Sequence, residues 1–530
     1  MASFNVATEL WIPVVRLDGS SGEASLISVF DDAHTIRRIV GETPSMTAAI
    51  HRLLIACALR AFGPEDSAAW ATLWTDKSFP IARLREYVAR IEQHLDLFDP
   101  NRPFLQCPAV ADVTPTSAAK LVPHRSTGNN RTLFDHTTAN DETLLTPAEA
   151  ARWLVTLQTY DPGGLKTPYH TTKSSQAAPG NRIAIMLVEG STLKETLLLN
   201  MTPYDPGGEQ PPMTTPADRP MWEADPPAPE PDERHSHGWT DLLTWPSRRV
   251  WLSTRTVSGE TVVDKVVITP GTKLKSESRD VEWMAAFRRP RLDAKDRSPA
   301  AKKRQAKYGP WYAVRLQDRR GVWRHTTEFL LAPSTFEANN RQRALTLTHV
   351  ADMVEDGHIP PETIYTLRVF GQQLDKNWAV IEQVFEETVA APVALLRVDP
   401  KAELVIGYTV QLADQVGTAL INMERDYRKT FQAKGDSNLD LAFWPQLAQP
   451  FDQFLRELAH ALTSDRNVQT ATQMWSSQVK DLGRKVTQRW VDGAPRRGRN
   501  IEAAAENYGR FILQLNLALR VYDGHLAGID

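Results

Sequence analysis

The spacing of apolar positions changes several times along this chain, and each change marks an element. The opening FNVATELWIPVVRLDGSSGEASLISVFDDA alternates short apolar runs around an Asp-Gly turn signal, which predicts a β-hairpin or small sheet. From Thr47 to Leu59 the period becomes helical, with Ile50, Leu53, Leu54 and Cys57 on one face, and a second helix is predicted from Ile81 to His94. The segment LFDPNRPFLQCPAV, with three prolines, cannot be one helix and reads as a structured loop or linker. Residues 118–145 are polar without a sustained period and read as a surface excursion, in which Leu133 and Phe134 form a small apolar tip. TPAEAARWLVTLQTY then predicts a short helix capped by Thr146, with Pro147 in its first turn and Glu149 placed to complete a capping box.

Residues 202–245 are dense in proline and acid and predict an irregular surface insertion. Strands are predicted in RRVWLST, GETVVDKVVITPG, WYAVRLQ and GVWRHTTEFLL. From Gln372 onward, five stretches beginning with QQLDKNWAVIEQVFEETVAAP carry apolar residues three and four apart. Phe451, Phe454, Leu455, Leu458 and Leu462 share one face, as do Tyr508, Phe511, Ile512, Leu515 and Leu519. Such stripes need one another for burial, which predicts a C-terminal bundle of about four long helices. The fold class expected is therefore α+β, with a mixed α/β domain over residues 1–370 and a four-helix bundle over 371–530.

Composition narrows the function. At 530 residues the chain exceeds the usual size of a single core. Cys57 and Cys107 supply neither a disulfide framework nor a metal-binding spacing, and His235 and His237 lack further ligands nearby in sequence, so no metal or other cofactor is expected. The apolar runs LLIACAL and IAIMLV are too short to span a bilayer, and the start of the chain lacks a basic region followed by a long apolar run; a cytoplasmic protein without membrane contact is expected. With 61 basic and 64 acidic residues the net charge is −3, so any contact with nucleic acid must be local. One such locus is residues 287–307, with nine basic and two acidic side chains, among them Arg288, Arg289, Arg291, Lys302, Lys303 and Arg304. A solvated face and a phosphate-contacting patch both explain that run.

No phosphate-binding loop, dinucleotide fingerprint, nucleophile elbow or zincin motif is present in the sequence. A binding protein is the economical expectation; a structural adaptor of another nucleoprotein assembly and a hydrolase with a dispersed active site remain the alternatives. The stretch YDPGGLKTPY draws attention because paired glycines, Gly163 and Gly164, open backbone torsions closed to other residues and let a second molecule approach the amides, with Leu165 and a mobile Lys166 just behind. A helix C-cap followed by a surface lysine would use the same residues. A second DPGG at Asp205–Gly208 has no lysine behind it.

Taken in order, LWIPVV, LFDPNRPFLQ, GNNRTLFDH, YDPGGLKTPY and the helical C-terminus resemble the CasA family, the large subunit of the type I-E CRISPR surveillance complex called Cascade. The resemblance spans essentially the whole chain. It implies an unusual mixed α/β N-terminal domain before the bundle, and a non-catalytic subunit with crRNA, the other Cascade subunits, double-stranded target DNA and the CRISPR helicase-nuclease as partners. Such a subunit recognises the protospacer-adjacent motif, helps open the duplex for guide pairing and offers a platform for the nuclease. By the same resemblance, Asn130, Leu133, Phe134 and Asp135 match a loop that contacts crRNA and a neighbouring subunit. Gly163, Gly164, Leu165 and Lys166 match a minor-groove glycine loop, and minor-groove reading is inherently tolerant of related motifs. Lys273 and Lys275 compete for a lysine finger. A duplex-opening wedge falls among Gln372, Gln373, Asn377 and Trp378; the family's glutamine has no clear counterpart, because the natural alignment gives Asn377-Trp378.

Overall fold

The structure, a computed structural model, describes residues 2–123, 142–289, 311–316, 321–333, 340–433, 438–464, 466–495 and 497–529. Near the start, strands Ser21–Ala24, Ile12–Arg16 and Ile36–Ile39 form a small antiparallel sheet in that spatial order. It leads into the central helix Pro44–Phe62, which starts at a Thr43 cap with Pro44 in the first turn. Almost every side chain of this helix is buried, including His51 and Arg52, because other elements pack around its whole circumference. Pro44–Phe62 and Pro400–Thr430 have the length and hydropathy of a membrane span, beyond the short apolar runs the sequence suggested, yet 94% of the apolar window of the first lies inside the protein. The helix predicted from Ile81 is an α-helix to Ile91 and a 3-10 turn from Glu92 to His94.

Two further antiparallel ladders frame the middle of the chain. Strands Arg248–Val257 and Glu260–Pro270 pair through a tight turn at Ser258-Gly259, where both residues have positive φ, and Thr116–Ser117 adds to the edge. The second ladder orders Ile381–Pro392, Ile364–Leu374 and Ile185–Glu189. Its long hairpin occupies the segment QQLDKNWAVIEQVFEETVAAP, for which the spacing predicted a helix. Ile381, Phe385 and Glu387 alternate with more exposed neighbours, so a strand period coincides with apolar positions four apart, and β-branched and aromatic residues favour the strand. The hairpin also runs through the expected boundary at 370/371; the helices begin only at Pro400.

Two other expectations are corrected. GVWRHTTEFLL forms a 3-10 turn, Val322–His325, and a helical turn, Thr326–Phe329, while WYAVRLQ contributes only the short strand Tyr312–Ala313. The proline-rich segment 202–245 is no mere surface insertion, because it buries Tyr204, Trp222 and Trp239. There the Asp218 carboxylate accepts from the Thr240 and Asp241 amides and from the Tyr204 hydroxyl, organising the chain around a buried acid. Among the described residues no cluster of His, Cys, Asp or Glu is arranged to hold a metal.

At the C-terminal end, helices Pro400–Thr430, Ala448–Thr463, Gln469–Asp492 and Gly498–Leu526 pack on one another. Phe451, Phe454, Leu455, Leu458, Phe511 and Leu515 are buried as their spacing predicts. Gly417 lets the Trp444 ring approach where a β-carbon would stand 2.1 Å away. This layer docks on Trp323, whose ring lies 5.0 Å from Phe451 and 5.7 Å from Trp475. Beside it Arg324 stacks 3.8 Å from the centre of Trp444 and pairs with Asp414.

Candidate nucleic-acid interface

The helix Pro147–Tyr160 forms the expected capping box: Thr146 accepts from the Glu149 amide, and Glu149 accepts from the Thr146 amide. At its far end Asn181 donates to the carbonyls of Tyr160 and Asp161, fixing where the chain leaves the helix. Asp161 then accepts from Lys166 at 2.6 Å and from Arg248 at 2.5 Å. Arg248 continues to the carbonyls of Pro162 and Gln176, so one buried guanidinium ties together both sides of the turn. Burial opposes ionisation of Asp161, but the charges of Lys166 and Arg248 outweigh it and hold the carboxyl below its ordinary range. Lys166 is thus not the mobile charge expected from the sequence; its ammonium is committed to Asp161, five residues back, and its side chain is only 16% exposed.

Gly163 and Gly164 turn the chain into a two-stranded ribbon, Gly164–Tyr169 against Thr172–Ser175. Gly163 is buried, and its amide donates to the Trp378 carbonyl at 2.7 Å. A β-carbon there would lie 3.0 Å from the Ala177 nitrogen and 3.1 Å from the carbonyl oxygens of Ser175 and Trp378. Gly164 has φ +91° and faces the Ala379 methyl. The first job of these glycines is therefore close approach to the chain's own hairpin. Leu165, one residue on, points outward and is 73% exposed.

That hairpin tip is the turn Asp375–Val380. Asp375 accepts from the amides of Ala379 and Val380 at 2.7 and 2.9 Å, and these donors hold its carboxyl below the usual value. Trp378 sits at φ +60°, a rare conformation for a bulky residue, fixed by its own amide on the Asp375 carbonyl and its carbonyl on Gly163. The residue is 37% exposed, and the centre of its ring lies 4.5 Å from the Arg315 guanidinium. Asn377 and Trp378 thus occupy the tip. Gln372 does not: it is buried and donates to the Tyr160 carbonyl and Asn181, locking the hairpin to the end of the capped helix. Gln373 pairs across the ladder with Glu382.

An open cleft of about 490 Å³ extends from Gly163–Gly164 past Asn377–Trp378 to Trp311 and Arg279. Arg279 and Arg289 lie 4.0 and 4.9 Å from the centre of the Trp311 ring, and Arg182 and Arg315 complete the basic wall. Sequence reasoning missed Arg182, Arg279, Arg315 and Trp311. Isolated residues from separate segments carry no period or spacing that announces a common wall. Lys273 and Lys275 flank Leu274 on an exposed edge, their amides bonded to the carbonyls of Asp232 and Arg234. Lys273 borders Ser175–Ala178 and Arg182, which places it, rather than Lys275, beside the glycine ribbon. Arg288 faces Glu328 at 3.3 Å. Arg291, Lys302, Lys303 and Arg304, like Asn130, Leu133, Phe134 and Asp135, lie outside the described residues.

The arrangement joins a backbone corner, an aromatic tip and several cations along one cleft, a combination suited to an anionic polymer with planar bases. A crystal structure of Cse1 from Acidimicrobium ferrooxidans superposes with a TM-score of 0.80 at 24% identity, covering 98% of this chain and 99% of that one. Thermobifida fusca Cse1 superposes with a TM-score of 0.80 at 27% identity, covering 98% of each chain. The CRISPR-associated protein CasA/Cse1 of Thermus thermophilus is 28% identical over 98% of this chain and 99% of its own length. A chain from a CRISPR RNA-guided surveillance complex shares the fold, with a TM-score of 0.71 at 18% identity over 97% of this chain and all of that one. Residues 5–486 match the model of the family described as CRISPR-associated protein Cse1, and the chain belongs to that family.

Proposed function

We propose that this chain is the large, non-catalytic subunit of a crRNA-guided surveillance complex of the Cascade type, acting in the cytoplasm, and that it recognises a short motif in duplex DNA. In this reading the ribbon headed by Gly163-Gly164 lies along the minor groove, with Leu165 at its outer surface and Lys273 as the neighbouring cation. The tip Asn377–Trp378 enters beside the first base pair to be opened. Unstacking a base step costs a few kcal/mol, which contacts at the motif must offset before guide pairing takes over. In the same reading the subunit also offers a platform for the helicase-nuclease.

The observation that carries this reading is the bond from the Gly163 amide to the Trp378 carbonyl, which makes the glycine corner and the hairpin tip one rigid unit on one cleft. A groove-reading element and a strand-parting element held this way act at a fixed spacing, so a duplex seated on the first presents its next base pair to the second. The test is affinity of the reconstituted complex for motif-bearing and motif-free duplex. Leu165→Ser and Asn377→Ala are suitable variants, because neither residue is buried and folding is preserved. Combined, they are expected to lower motif-specific affinity about tenfold while motif-free binding stays the same. Unchanged preference in a folded double variant removes the proposed site.

A further inference from the structure

Charged groups set against protein are ordinarily matched by an opposite charge. Most arginines of this N-terminal region obey that rule: Arg52 meets Glu282 at 3.0 Å, Arg248 meets Asp161, and Arg368 meets Glu386 at 2.6 Å. Arg182 and Arg315 do not. Among the described residues neither guanidinium has a carboxylate within ion-pair distance, although Arg315 donates to the Arg182 carbonyl at 3.0 Å and the two charges face each other. Glu277, on the same cleft, is the acid whose field reaches Arg182. Packing against the cleft wall holds Arg182 below the ordinary arginine range; Arg315 is exposed as a residue, but the side of its guanidinium that lies against the wall, together with the charge of Arg182, moves it in the same direction. Two adjacent, partly desolvated cations at the mouth of an open cleft make a site that an anion would relieve.

The surroundings specify the anion. Arg315 lies over the Trp378 ring at 4.5 Å, at the hairpin tip. Trp311 is already flanked by Arg279 and Arg289, whereas Trp378, 37% exposed, carries a single guanidinium among the described residues and keeps accessible aromatic surface at the tip. The cleft volume of about 490 Å³ is in the range of pockets that hold single small ligands. A free phosphate would use the arginines and leave the rings without a role; a nucleotide of a single strand uses both, its base on an aromatic face and its phosphate between the cations.

Resting on the function proposed above, we propose that Arg182 and Arg315 form a phosphate site for one unpaired nucleotide released at the hairpin tip, whose base stacks in the cleft beside Trp378. The site holds DNA only after the duplex opens. It therefore stabilises the product of opening rather than the initial encounter, a role distinct from that of the glycine corner.

The experiment uses the reconstituted crRNA-bearing complex and two DNAs with the same motif and an adjoining sequence that does not match the guide. One is fully paired; the other carries mismatches that leave the adjoining positions open. R182Q/R315Q is expected to weaken binding of the open DNA about tenfold and to reduce its log–log salt slope by about 0.7 for each phosphate that the variant no longer neutralises, with a loss of only about twofold to threefold for the paired DNA, which feels the two cations through the general field of the cleft alone. R315K, which keeps the charge without the planar stack, is expected to fall between wild type and R315Q. If the double variant fails to assemble, R315Q alone carries the test, because Arg315 is surface-exposed. Equal losses on both DNAs, or no loss on the open one, overturn the phosphate site. A third, fully paired DNA without the motif separates the two claims: a wild-type complex that binds it as well as the motif-bearing duplex overturns the proposed function and this site with it, whereas a wild-type preference for the motif together with an unaffected double variant overturns this site alone.

Discussion

The tetrapeptide DPGG occurs twice in this chain, and the two copies do different work. At Asp161–Gly164 the aspartate reaches outward to Lys166 and Arg248, and the glycines press against a hairpin more than two hundred residues away in sequence. At Asp205–Gly208 the aspartate turns back on its own segment: it accepts from the Gly207 amide at 3.0 Å, its backbone bridges to Gln210, and the turn stays on the surface. One copy is a tertiary joint and the other a local turn. The difference lies in what surrounds each aspartate, since Arg248 stands at the start of a long strand directly against the first copy and no cation pairs with the second among the described residues.

Removing each aspartate should separate the copies most widely. Asp161→Ala leaves a buried lysine and a buried arginine without their shared counter-charge and is expected to cost about 3–5 kcal/mol in denaturant unfolding. Asp205→Ala should cost about 1 kcal/mol. The glycines come next. Gly163→Ala sets a methyl against three backbone atoms that cannot rotate away and should cost about 1–3 kcal/mol. Gly207→Ala meets only the Asp205 carboxylate at 3.3 Å and should cost less than about 0.5 kcal/mol, read from the same unfolding curves.

The pH dependence sharpens the same contrast. The folded-state pKa of Asp161 is depressed below 3.8, so its contribution is fully present above that value and is lost as pH falls through the folded pKa. Asp161→Asn should therefore be clearly less stable than wild type at neutral pH, and the gap should close as acid protonates the wild-type carboxyl. A gap that stays constant down to acid pH would mean that the ion pairs do not set the strength of the joint. The smallest effect on stability is expected from Leu165→Ser, within about 0.5 kcal/mol, since the side chain meets mostly solvent.

How much of this was legible in the sequence follows from how local each interaction is. The Thr146–Glu149 capping box, the central helix and the faces of the C-terminal helices rest on neighbours a few residues apart, and their patterns were readable. The long hairpin was not, because Ile381 and Phe385 satisfy a helical and a strand spacing at once and only pairing with Ile364–Leu374 decides between them. The likeness to CasA drew attention to Gly163 and to Trp378, but no local pattern says that one donates to the other. Lys166 was misread because a lysine behind two glycines suggests a free charge until the helix end brings Asp161 round to meet it. Gln372 stood among the wedge candidates because the resemblance calls for a glutamine near the tip, whereas its register in the ladder turns it inward to Tyr160.

The hairpin that carries Trp378 is also fastened at its other end. Glu387 receives the Val322 amide next to Trp323, and the Ala390 amide is held by Asp452 of helix Ala448–Thr463. Paired over 11 and 12 residues, the two strands behave as a strut more than 30 Å long at about 3.3 Å per residue. A load applied at the tip has little slack in which to dissipate and arrives at the four helices as displacement.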